Sequence, residues 1–365
     1  MPLNDKRWLS VALAQADKIV GHTAENPAVG CVIIDKDDCL VGLGHTSQNG
    51  RPHAEVNALS MAGKRAQGGT AYVTLEPCSH HGKTGPCALA LSQAGIAQVV
   101  IAQTDPDPRV SGKGIAYLES QNITVRVEPI SRARRQMAGF LSRQEQGRPF
   151  VSVKMATSHD GYIAAKAGAQ TWLTGSTSRA YVHDLRSRAD VMMTTSGTIR
   201  ADNPSLNVRI EGFSLPQPAL AILDSEASLP IEAACLSAER QVILYHRAGA
   251  ELKQWPNHLV PVCVGHDKDG LNLVEVFHDL HQRGLGRLMV EAGAQLFSSL
   301  DKHKLIDELI WLKAPHRLDK GILAWQPKGQ GKKDKLDFSA PDNYITSYEM
   351  PLGADYATIL YPNQR

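Results

Sequence analysis

Three residues with metal-binding side chains lie close together in the first quarter of the chain. His53 is followed by Glu55, and Cys78 is followed by Cys87 after eight intervening residues. One imidazole and two thiolates are typical of a catalytic zinc site, because the fourth position stays open for water. Zinc lowers the pKa of that water, so hydroxide is available near neutral pH. We therefore predict a zinc centre at His53, Cys78 and Cys87.

Glu55 is the predicted catalytic residue. A carboxylate beside the metal that is not itself a ligand can carry protons from the water to a leaving amine. His53, Glu55, Pro77 and Cys78 also match the signature of zinc nucleobase deaminases, although the two cysteines are farther apart than in that signature. Taken singly, these residues read as ordinary buried or surface side chains; their combination favours the zinc site.

The insert between the two cysteines carries His80, Lys83 and Thr84. Cationic and hydroxyl groups on a glycine-containing loop beside a metal suit a phosphate on the substrate. A solvated surface loop is the alternative interpretation. Both remain open from the residues alone.

Strand and helix patterns alternate around these residues. Strand patterns cover 30–34, 70–75 and 98–103, and helical patterns cover 5–20, 54–62 and 88–94. Such alternation predicts an α/β layer with some parallel pairing. The spacing places Cys87 near the start of a helix, where the positive helix end stabilises a thiolate.

A second α/β domain is predicted after a helix over 131–149 that ends near Gly147. We place the domain boundary there, giving domains 1–147 and 148–365. Further strand patterns cover 150–155, 190–194, 218–223, 241–245 and 286–290. Residues 316–345 are rich in Lys, Gly, Gln, Pro and Asp and predict a long irregular segment.

Composition excludes several classes of protein. The chain has 365 residues, is 42% hydrophobic and carries a net charge of +2, which does not support nucleic acid as the main partner. No apolar run predicts a membrane span or a signal peptide, so we expect a cytoplasmic protein. Its six cysteines are too few for a disulfide scaffold. Cys31, Cys39, Cys235 and Cys263 are expected to be small buried hydrophobes.

The second half contains local motifs but no dinucleotide fingerprint of the G-x-G-x-x-G type. The motifs are residues 154–161 (KMATSHDG), following a strand pattern, then 171–174 (TWLT), 198–209 (TIRADNPSLNVR) and 290–296 (VEAGAQL). The last runs from a strand through a glycine turn, which can offer backbone amides at a helix start to a phosphate. These features suit an anionic ligand, and core or surface roles are an equal alternative.

The zinc motif, residues 53–56 (HAEV) with 77–87 (PCSHHGKTGPC), closely resembles the deaminase domain of the RibD family of bifunctional riboflavin biosynthesis enzymes. Residues 26–30 (NPAVG) and 105–114 (DPDPRVSGKG) resemble further family motifs, and the likeness covers residues 1–147. It implies a cytidine-deaminase-like three-layer α/β/α domain. It also implies that Asn26, His80, Lys83 and Thr84 contact the deaminase substrate.

The motifs of the second half are similar to the family's reductase domain, over roughly residues 149–315. That resemblance implies a dihydrofolate-reductase-like α/β fold that uses NADPH. The implied cofactor-binding residues are Ala156, Trp172, Thr198, Asp202, Ser225, Gly293, Ala294, Gln295, Leu296, Phe297, Ser298 and Ser299. The implied substrate residues are Lys154, Gln170, Thr174, Arg186, Leu206, Arg209 and Glu291. Lys154 and Asp202 are expected to position the reacting sugar.

We therefore expect a bifunctional enzyme with one zinc ion and NADPH as cofactors. It would deaminate 2,5-diamino-6-(ribosylamino)-4-pyrimidinone 5′-phosphate and then reduce the ribosyl chain to ribityl. The expected partner is this small phosphorylated pyrimidine, with no nucleic acid and no membrane, and the chain is expected to form a homo-oligomer, a dimer or a tetramer.

Two departures from the family pattern keep alternatives open. Thr46 stands where the family usually has His, and Arg51 stands where it usually has Glu. One alternative is an enzyme of the same family with a divergent substrate. Another is a chain in which one domain has lost catalysis and acts as a binding or scaffold module. An RNA-editing deaminase is less favoured, because the charge is near neutral and the cysteine spacer is long.

Overall fold

The computed structural model describes residues 3–79, 85–107, 111–166, 172–325 and 343–363. The chain divides into two compact units, and each is described by itself. The first comprises Met1–Arg148 with Gly284–Gly286, and the second comprises Pro149–Arg283 with Arg287–Arg365. Within the described ranges, no helix has the length and apolar character needed to cross a membrane.

A five-stranded sheet with helices on both faces forms the first unit. Its helices are α1 (Leu3–Asp17), α2 (Ala54–Ala62), α3 (Cys87–Gln93), α4 (Lys113–Ser120), α5 (Ser131–Gln136) and α6 (Ala138–Gln146). Its strands are β1 (Gly30–Ile34), β2 (Leu40–His45), β3 (Thr70–Val73), β4 (Gln98–Ile101) and β5 (Thr124–Val127). The strand order is β2-β1-β3-β4-β5, with β1 antiparallel to both neighbours and β3, β4 and β5 parallel. The predicted alternation of strands and helices is confirmed.

Two glycines show how helices pack on opposite faces of this sheet. A Cβ at Gly30 would lie 1.8 Å from the carbonyl oxygen of Ala12 in α1, and a Cβ at Gly44 would lie 2.1 Å from that of Ala54 in α2. Gly44 pairs with Cys31, the neighbour of Gly30 in β1. Successive residues of a strand point to opposite faces, so α1 and α2 cover opposite faces. The expected three-layer α/β/α arrangement is confirmed.

Residues 131–149 form two helices, so the prediction of one continuous helix is wrong. Met137 separates α5 from α6 with φ −96° and ψ 14°. Its side chain is fully buried in the hydrophobic core of the first unit. Packing of that side chain therefore outweighs the local helical preference. The helical stretch ends as predicted at Gly147, whose φ of 66° favours glycine.

The second unit is built on a nine-stranded sheet. Its long strands are β6 (Phe150–Thr157), β8 (Val191–Thr195), β9 (Ala219–Leu223), β10 (Val242–His246), β11 (Leu259–Cys263), β14 (Arg287–Glu291), β15 (Glu308–Lys313), β17 (Tyr344–Leu352) and β18 (Asp355–Pro362). Two short pairs are formed by β7 (Tyr162–Ala164) with β16 (Ile322–Leu323) and by β12 (His266–Asp267) with β13 (Gly270–Leu271). The helices are α7 (Ser176–Ser187), α8 (Ser196–Asp202), α9 (Leu273–Gln282) and α10 (Ala294–Lys302).

The order of the large sheet is β11-β10-β9-β8-β14-β6-β15-β18-β17. From β11 to β15 all neighbours are parallel, and β18 and β17 are added antiparallel at one edge. The carboxyl ends of parallel strands meet at one edge of a sheet, which is where α/β proteins bind ligands. The predicted α/β class of the second domain is confirmed.

Two expectations for the second unit need correction. β6 continues to Thr157, so Lys154 lies inside the strand and the motif at 154–161 does not follow it. Residues 316–345 are not uniformly irregular, because they contain β16 and the start of β17; residues 326–342 lie outside the described residues. β17 is not predicted because six of its nine residues are exposed and it has no continuous run of apolar residues.

The expectation that four cysteines are buried is half right. Cys31 and Cys235 are buried, whereas Cys39 and Cys263 are exposed. Cys39 lies in the turn before β2, and Cys263 ends β11. Both β2 and β11 are edge strands, where one side of the chain is left uncovered.

Candidate active sites

The three predicted metal ligands converge in the first unit. His53 directly precedes α2, Cys78 follows β3, and Cys87 begins α3. Nδ1 of His53 lies 3.7 Å from Sγ of Cys78 and 3.3 Å from Sγ of Cys87. All three ligand atoms lie within 4.8 Å of one another. The three predicted ligands, which are far apart in sequence, are therefore brought together near the ends of two helices and a strand.

This spacing fits a zinc ion. With Zn–S bonds of about 2.3 Å and Zn–N bonds of about 2.0–2.1 Å, neighbouring ligands of a tetrahedral ion lie about 3.5 Å apart. The two nitrogen–sulfur distances, 3.3 and 3.7 Å, bracket that value. These distances show that Nδ1 is the ring atom of His53 directed at the sulfurs, while Nε2 is buried without a hydrogen-bond partner among the described residues.

The two thiols are electrostatically coupled, so that one ionises far more readily than the other. A hydrogen bond from Cys87, assisted by His53, lowers the pKa of the Cys78 thiol to about 4. The hydrogen bond to Cys78, together with burial, raises the pKa of Cys87. The backbone N–H of Cys87, at the start of α3, donates to Sγ of Cys78 at 3.3 Å, as the predicted helix position implies. A cation between the two sulfurs would stabilise both cysteines as thiolates, the form that binds a metal.

Glu55 lies in the first turn of α2, two residues beyond the His53 ligand. Its side chain is 4% exposed. Burial, followed by the charge of Cys78, raises the pKa of Glu55 to about 7. A carboxyl that titrates near neutrality suits a group that must both accept and donate a proton.

A buried carboxylate without a predicted role holds the loop next to the metal cluster. Oε2 of Glu76 accepts from the backbone N–H groups of Asp105 at 3.3 Å and Gly112 at 3.1 Å, and Oε1 accepts from those of Gly114 at 3.1 Å and Ile115 at 3.4 Å. Three of these amides lie at the start of α4, where no intrahelical acceptor is available. No spacing in the sequence indicates this role, since the partners lie 29 to 39 residues away.

The loop that carries Asn26 is fixed by its neighbours. A Cβ at Gly50, whose φ is 89°, would lie 2.2 Å from Nδ2 of Asn26. Oγ1 of Thr46 accepts from Val29 N and donates to the carbonyl oxygen of Pro27, each at 3.0 Å. Thr46 is buried. Thr46, which stands where the family usually has His, therefore stabilises this loop through buried hydrogen bonds.

Four predicted substrate residues lie outside the described residues. They are His80, Lys83 and Thr84 in the insert between the cysteines and Gln170 in the second half. Their predicted contacts stay predictions.

A cavity of about 1230 Å³ opens in the second unit at the carboxyl ends of the parallel strands. Most of the implied reductase residues line it. They are Lys154, Ala156, Trp172, Thr174, Arg186, Thr198, Asp202, Leu206, Arg209, Ser225, Glu291, Gly293, Ala294, Gln295, Leu296 and Ser299. Phe297 and Ser298 are not part of this lining, and the Phe297 ring is buried 5.8 Å from the Trp325 ring.

A charge cluster lies at the centre of this cavity. Nε and Nη2 of Arg186 donate to the Glu291 carboxylate at 2.6 and 3.1 Å, and Nζ of Lys154 lies 3.2 Å from it. Burial alone would raise the pKa of Glu291, but Lys154 and Arg186 hold it well below its usual range. Burial raises the pKa of Asp202, and the nearby Lys154 opposes that shift.

The cavity wall fits NADPH. α10 begins at Ala294 after the N-cap Gly293, where no atom of the described residues lies within 4 Å of an added Cβ. Gly293, Ala294 and Gln295 line the cavity, so the start of α10 offers amides and a positive helix end to a pyrophosphate. Trp172 is 69% exposed, and the Arg179 guanidinium lies over its ring, 5.4 Å from the ring centre, so the wall presents an aromatic ring and a cation. The volume exceeds the roughly 300–1,000 Å³ of a typical pocket, leaving room for cofactor and substrate together.

Comparison with protein-family models agrees with both sites. The model for the cytidine and deoxycytidylate deaminase zinc-binding region matches residues 2–103, and the model for the RibD C-terminal domain matches residues 149–327. The fold and the two sites define a two-domain enzyme that joins a zinc-dependent deaminase to an NADPH-dependent reductase.

The chain belongs to the RibD family of riboflavin biosynthesis proteins. It is 40% identical to the RibD protein of Haemophilus influenzae, covering 85% of this chain and 86% of that protein. It is 36% identical to the Escherichia coli RibD protein, covering 87% and 89%. It is a bifunctional enzyme of riboflavin biosynthesis, and its cofactors are zinc and NADPH.

Two solved structures match this chain over almost its full length. Acinetobacter baumannii RibD superposes with a TM-score of 0.86 at 33% identity, covering 99% of each chain. A Thermotoga maritima protein superposes with a TM-score of 0.86 at 27% identity, covering 98% of this chain and 99% of that one. That protein is described as a diaminohydroxyphosphoribosylaminopyrimidine deaminase and 5-amino-6-(5-phosphoribosylamino)uracil reductase.

Proposed function

We propose that residues 1–147 deaminate 2,5-diamino-6-(ribosylamino)-4-pyrimidinone 5′-phosphate. Residues 148–365 then reduce the ribosyl chain of the product, 5-amino-6-(5-phosphoribosylamino)uracil, to a ribityl chain. The observation that carries this proposal is the convergence of His53, Cys78 and Cys87 beside a buried Glu55. The two activities described for the Thermotoga maritima protein support the choice of substrates.

In the deaminase, His53, Cys78 and Cys87 hold the zinc ion. Bound zinc makes a water molecule acidic enough to react near neutral pH. The Glu55 carboxylate accepts a proton from the attacking water and donates it to the amino group that leaves as ammonia. Burial of Glu55 beside the ligands raises the pKa of its carboxyl above the ordinary value, which suits a group that performs both transfers. Water supplies the oxygen of the new carbonyl group, so the reaction is a balanced hydrolysis.

We assign binding of the deaminase substrate to Asn26, His80, Lys83 and Thr84. The packing of Asn26 against Gly50 supports this assignment, because it holds the amide in one orientation. Lys83 and His80 supply positive charge for the 5′-phosphate, and Thr84 supplies a hydroxyl donor.

In the reductase, NADPH supplies the hydride, and the protein orients the two reactants. We assign contacts with the cofactor to the start of α10 and to Ala156, Trp172, Thr198, Asp202 and Ser225. Lys154 and Asp202 position the reacting sugar. The substrate is held further by Gln170, Thr174, Leu206 and Arg209. Arg186 and Glu291 complete this site as a charged pair that fixes Lys154.

We also propose that the protein works in the cytoplasm as a homo-oligomer. A reducing cytoplasm keeps Cys78 and Cys87 as free thiols, available as ligands. The edge strand β17 exposes Ile345 and Tyr348, and the neighbouring β18 exposes Tyr356. An exposed edge with apolar side chains favours pairing with another chain. Light scattering on the purified protein tests the assembly, and a monomer at micromolar concentration would contradict it.

Ammonia release tests the deaminase assignment. Purified zinc-loaded protein is given the diaminopyrimidinone ribosyl-phosphate without NADPH. We expect rapid release of one ammonia per substrate. Protein that holds one zinc ion per chain and releases none would contradict the assigned substrate.

A further inference from the structure

Among the described residues, the hydrogen-bond partners of one buried arginine outside the cavity lining are all backbone carbonyl groups. Nη1 of Arg240 donates to Leu206 O at 2.7 Å, and Nη2 donates to Ser205 O at 2.7 Å and Cys235 O at 3.1 Å. The side chain is 6% exposed, and among the described residues no carboxylate forms an ion pair with it. Desolvation, reinforced by nearby Arg186, lowers the pKa of Arg240 to about 10. Burying a cation without a counter-ion is costly, so a guanidinium at this position lowers the folding stability relative to an apolar side chain of the same volume.

The backbone it contacts has a conformation that favours glycine. Leu206 has a φ of 51°, and Asn203 in the same turn has a φ of 42°. A leucine is unfavourable in this left-handed region, because its Cβ approaches the carbonyl oxygen. Such conformations persist where surrounding contacts hold them. Ser205 and Leu206 both line the reductase cavity, so the strained turn forms part of its wall.

The same turn is joined to the centre of the cavity. Nη1 of Arg186 donates to the carbonyl oxygen of Asn207 at 3.1 Å, while its other nitrogens bind Glu291. The consecutive carbonyl groups of residues 205–207 therefore accept hydrogen bonds from two buried arginines, Arg240 and Arg186. One of them, Arg186, reaches Lys154 through Glu291.

We infer that Arg240 is a positioning residue of the reductase, which holds the turn at Ser205 and Leu206 in its left-handed conformation and so sets the wall that the sugar substrate contacts. This inference rests on the proposed reductase function. An apolar side chain of similar length would fill the same volume without the desolvation cost. What the guanidinium adds is three directional hydrogen bonds to the wall of a binding site.

The test compares Arg240→Met and Arg240→Lys with the wild type. Arg188→Met is the matched control, since Arg188 is a half-exposed arginine of the same unit outside the cavity lining. Reductase kcat and KM are measured with the deaminated substrate, and the Kd for NADPH is measured by fluorescence. We expect the KM for the sugar substrate to rise about tenfold or more in Arg240→Met, and less in Arg240→Lys. The Kd for NADPH and the deaminase activity of the same chain are expected to change less than about twofold.

A double-mutant cycle separates positioning from a general structural role. Glycine adopts a φ of 51° readily, so Leu206→Gly removes the strain that Arg240 offsets. We expect Arg240→Met to raise the KM by a smaller factor in the Leu206→Gly background than in the wild type. Equal factors in both backgrounds, or an unchanged KM in Arg240→Met, would overturn the inference.

Two further outcomes are also decisive. If both Arg240 variants lose NADPH binding while the deaminase remains active, Arg240 only stabilises the second unit, and the inference fails. If the wild type itself does not oxidise NADPH with the deaminated substrate, the proposed reductase function fails. The wild-type measurement therefore distinguishes the two failures.

Discussion

Glu55 combines burial with a position next to a metal ligand. Its side chain is 4% exposed, and burial raises its pKa to about 7. An ordinary exposed glutamate titrates near 4.3 and would hold a proton too weakly to return it to ammonia at neutral pH. The same surroundings that desolvate Glu55 thus prepare it for proton transfer.

Glu55→Gln is expected to retain zinc and lose most deaminase turnover. Glutamine preserves the shape of the side chain but cannot exchange a proton, and positioned acid–base groups contribute roughly 10²–10⁴-fold. Zinc per chain and ammonia release are measured together. Glu119→Gln, on an exposed site in α4, serves as the control. A fully active Glu55→Gln protein would refute the assigned role.

Cys87→Ser is expected to lower the zinc content strongly, because a serine hydroxyl does not replace a thiolate ligand. The control is Cys39→Ser, since Cys39 is an exposed cysteine of the same unit. Metal is measured by mass spectrometry after dialysis. Unchanged zinc stoichiometry in Cys87→Ser would contradict the ligand set.

At the residue scale, sequence patterns predict ligands better than supporting side chains. His53, Glu55, Cys78 and Cys87 are predictable because zinc chemistry restricts both residue type and order. Arg240 is not, because a carbonyl group of any residue can accept its hydrogen bonds. Leu206, whose carbonyl group accepts a hydrogen bond from Arg240, has a positive φ that a leucine in the sequence does not predict.

At the element scale, close packing of α2 on β2 fixes the metal site. A Cβ at Gly44 would lie 2.1 Å from the carbonyl oxygen of Ala54, the first residue of α2. Gly44→Ala is expected to destabilise the first unit by about 1–3 kcal/mol, since the helix must move outward. The deaminase should then lose activity at a lower temperature than in the wild type. Ser60→Ala, at an exposed position of α2, is the control, and equal inactivation temperatures for Gly44→Ala and the wild type would contradict this account.

Glu76 should govern the start of α4. Glu76→Ala leaves the amides of Gly112, Gly114 and Ile115 without their acceptor. Hydrogen bonds to charged groups contribute about 1.5–3 kcal/mol each, so we expect exchange of these amide hydrogens to accelerate about tenfold or more. Hydrogen exchange read by mass spectrometry checks this, with Glu119→Ala as control. Unchanged exchange would show that the amides do not depend on Glu76.

The strands predicted from the sequence contain buried runs of residues, whereas the exposed strand β17 is not predicted. Burial alone is not sufficient, since the buried strand β15 is not predicted either. β1 is fully buried and β-branched, and its predicted limits of 30–34 match the structure. The sequence predicts one helix where the structure has α5 and α6, because the break between them comes from the tertiary burial of Met137. β17 was missed because it is mostly exposed at the sheet edge, so pairing with β18 rather than hydrophobic pattern defines it.

At the scale of the whole molecule, two units each have their own core and their own site. One hydrophobic cluster lies within the first unit, centred on β1, β3 and β4, and another lies within the second. The metal ligands belong to the first unit, and all residues lining the large cavity belong to the second. Loss of one activity should therefore leave the other intact.

The central claim is that deamination and reduction are separate, successive reactions at two sites. The most direct measurement is NADPH oxidation by Glu55→Gln with each of two substrates. We expect wild-type rates with 5-amino-6-(5-phosphoribosylamino)uracil and almost no oxidation with the diaminopyrimidinone ribosyl-phosphate, because that compound must first lose its amino group. The account would be contradicted if Glu55→Gln oxidised NADPH at the wild-type rate with the diaminopyrimidinone compound. It would also be contradicted if this variant did not oxidise NADPH with the uracil compound.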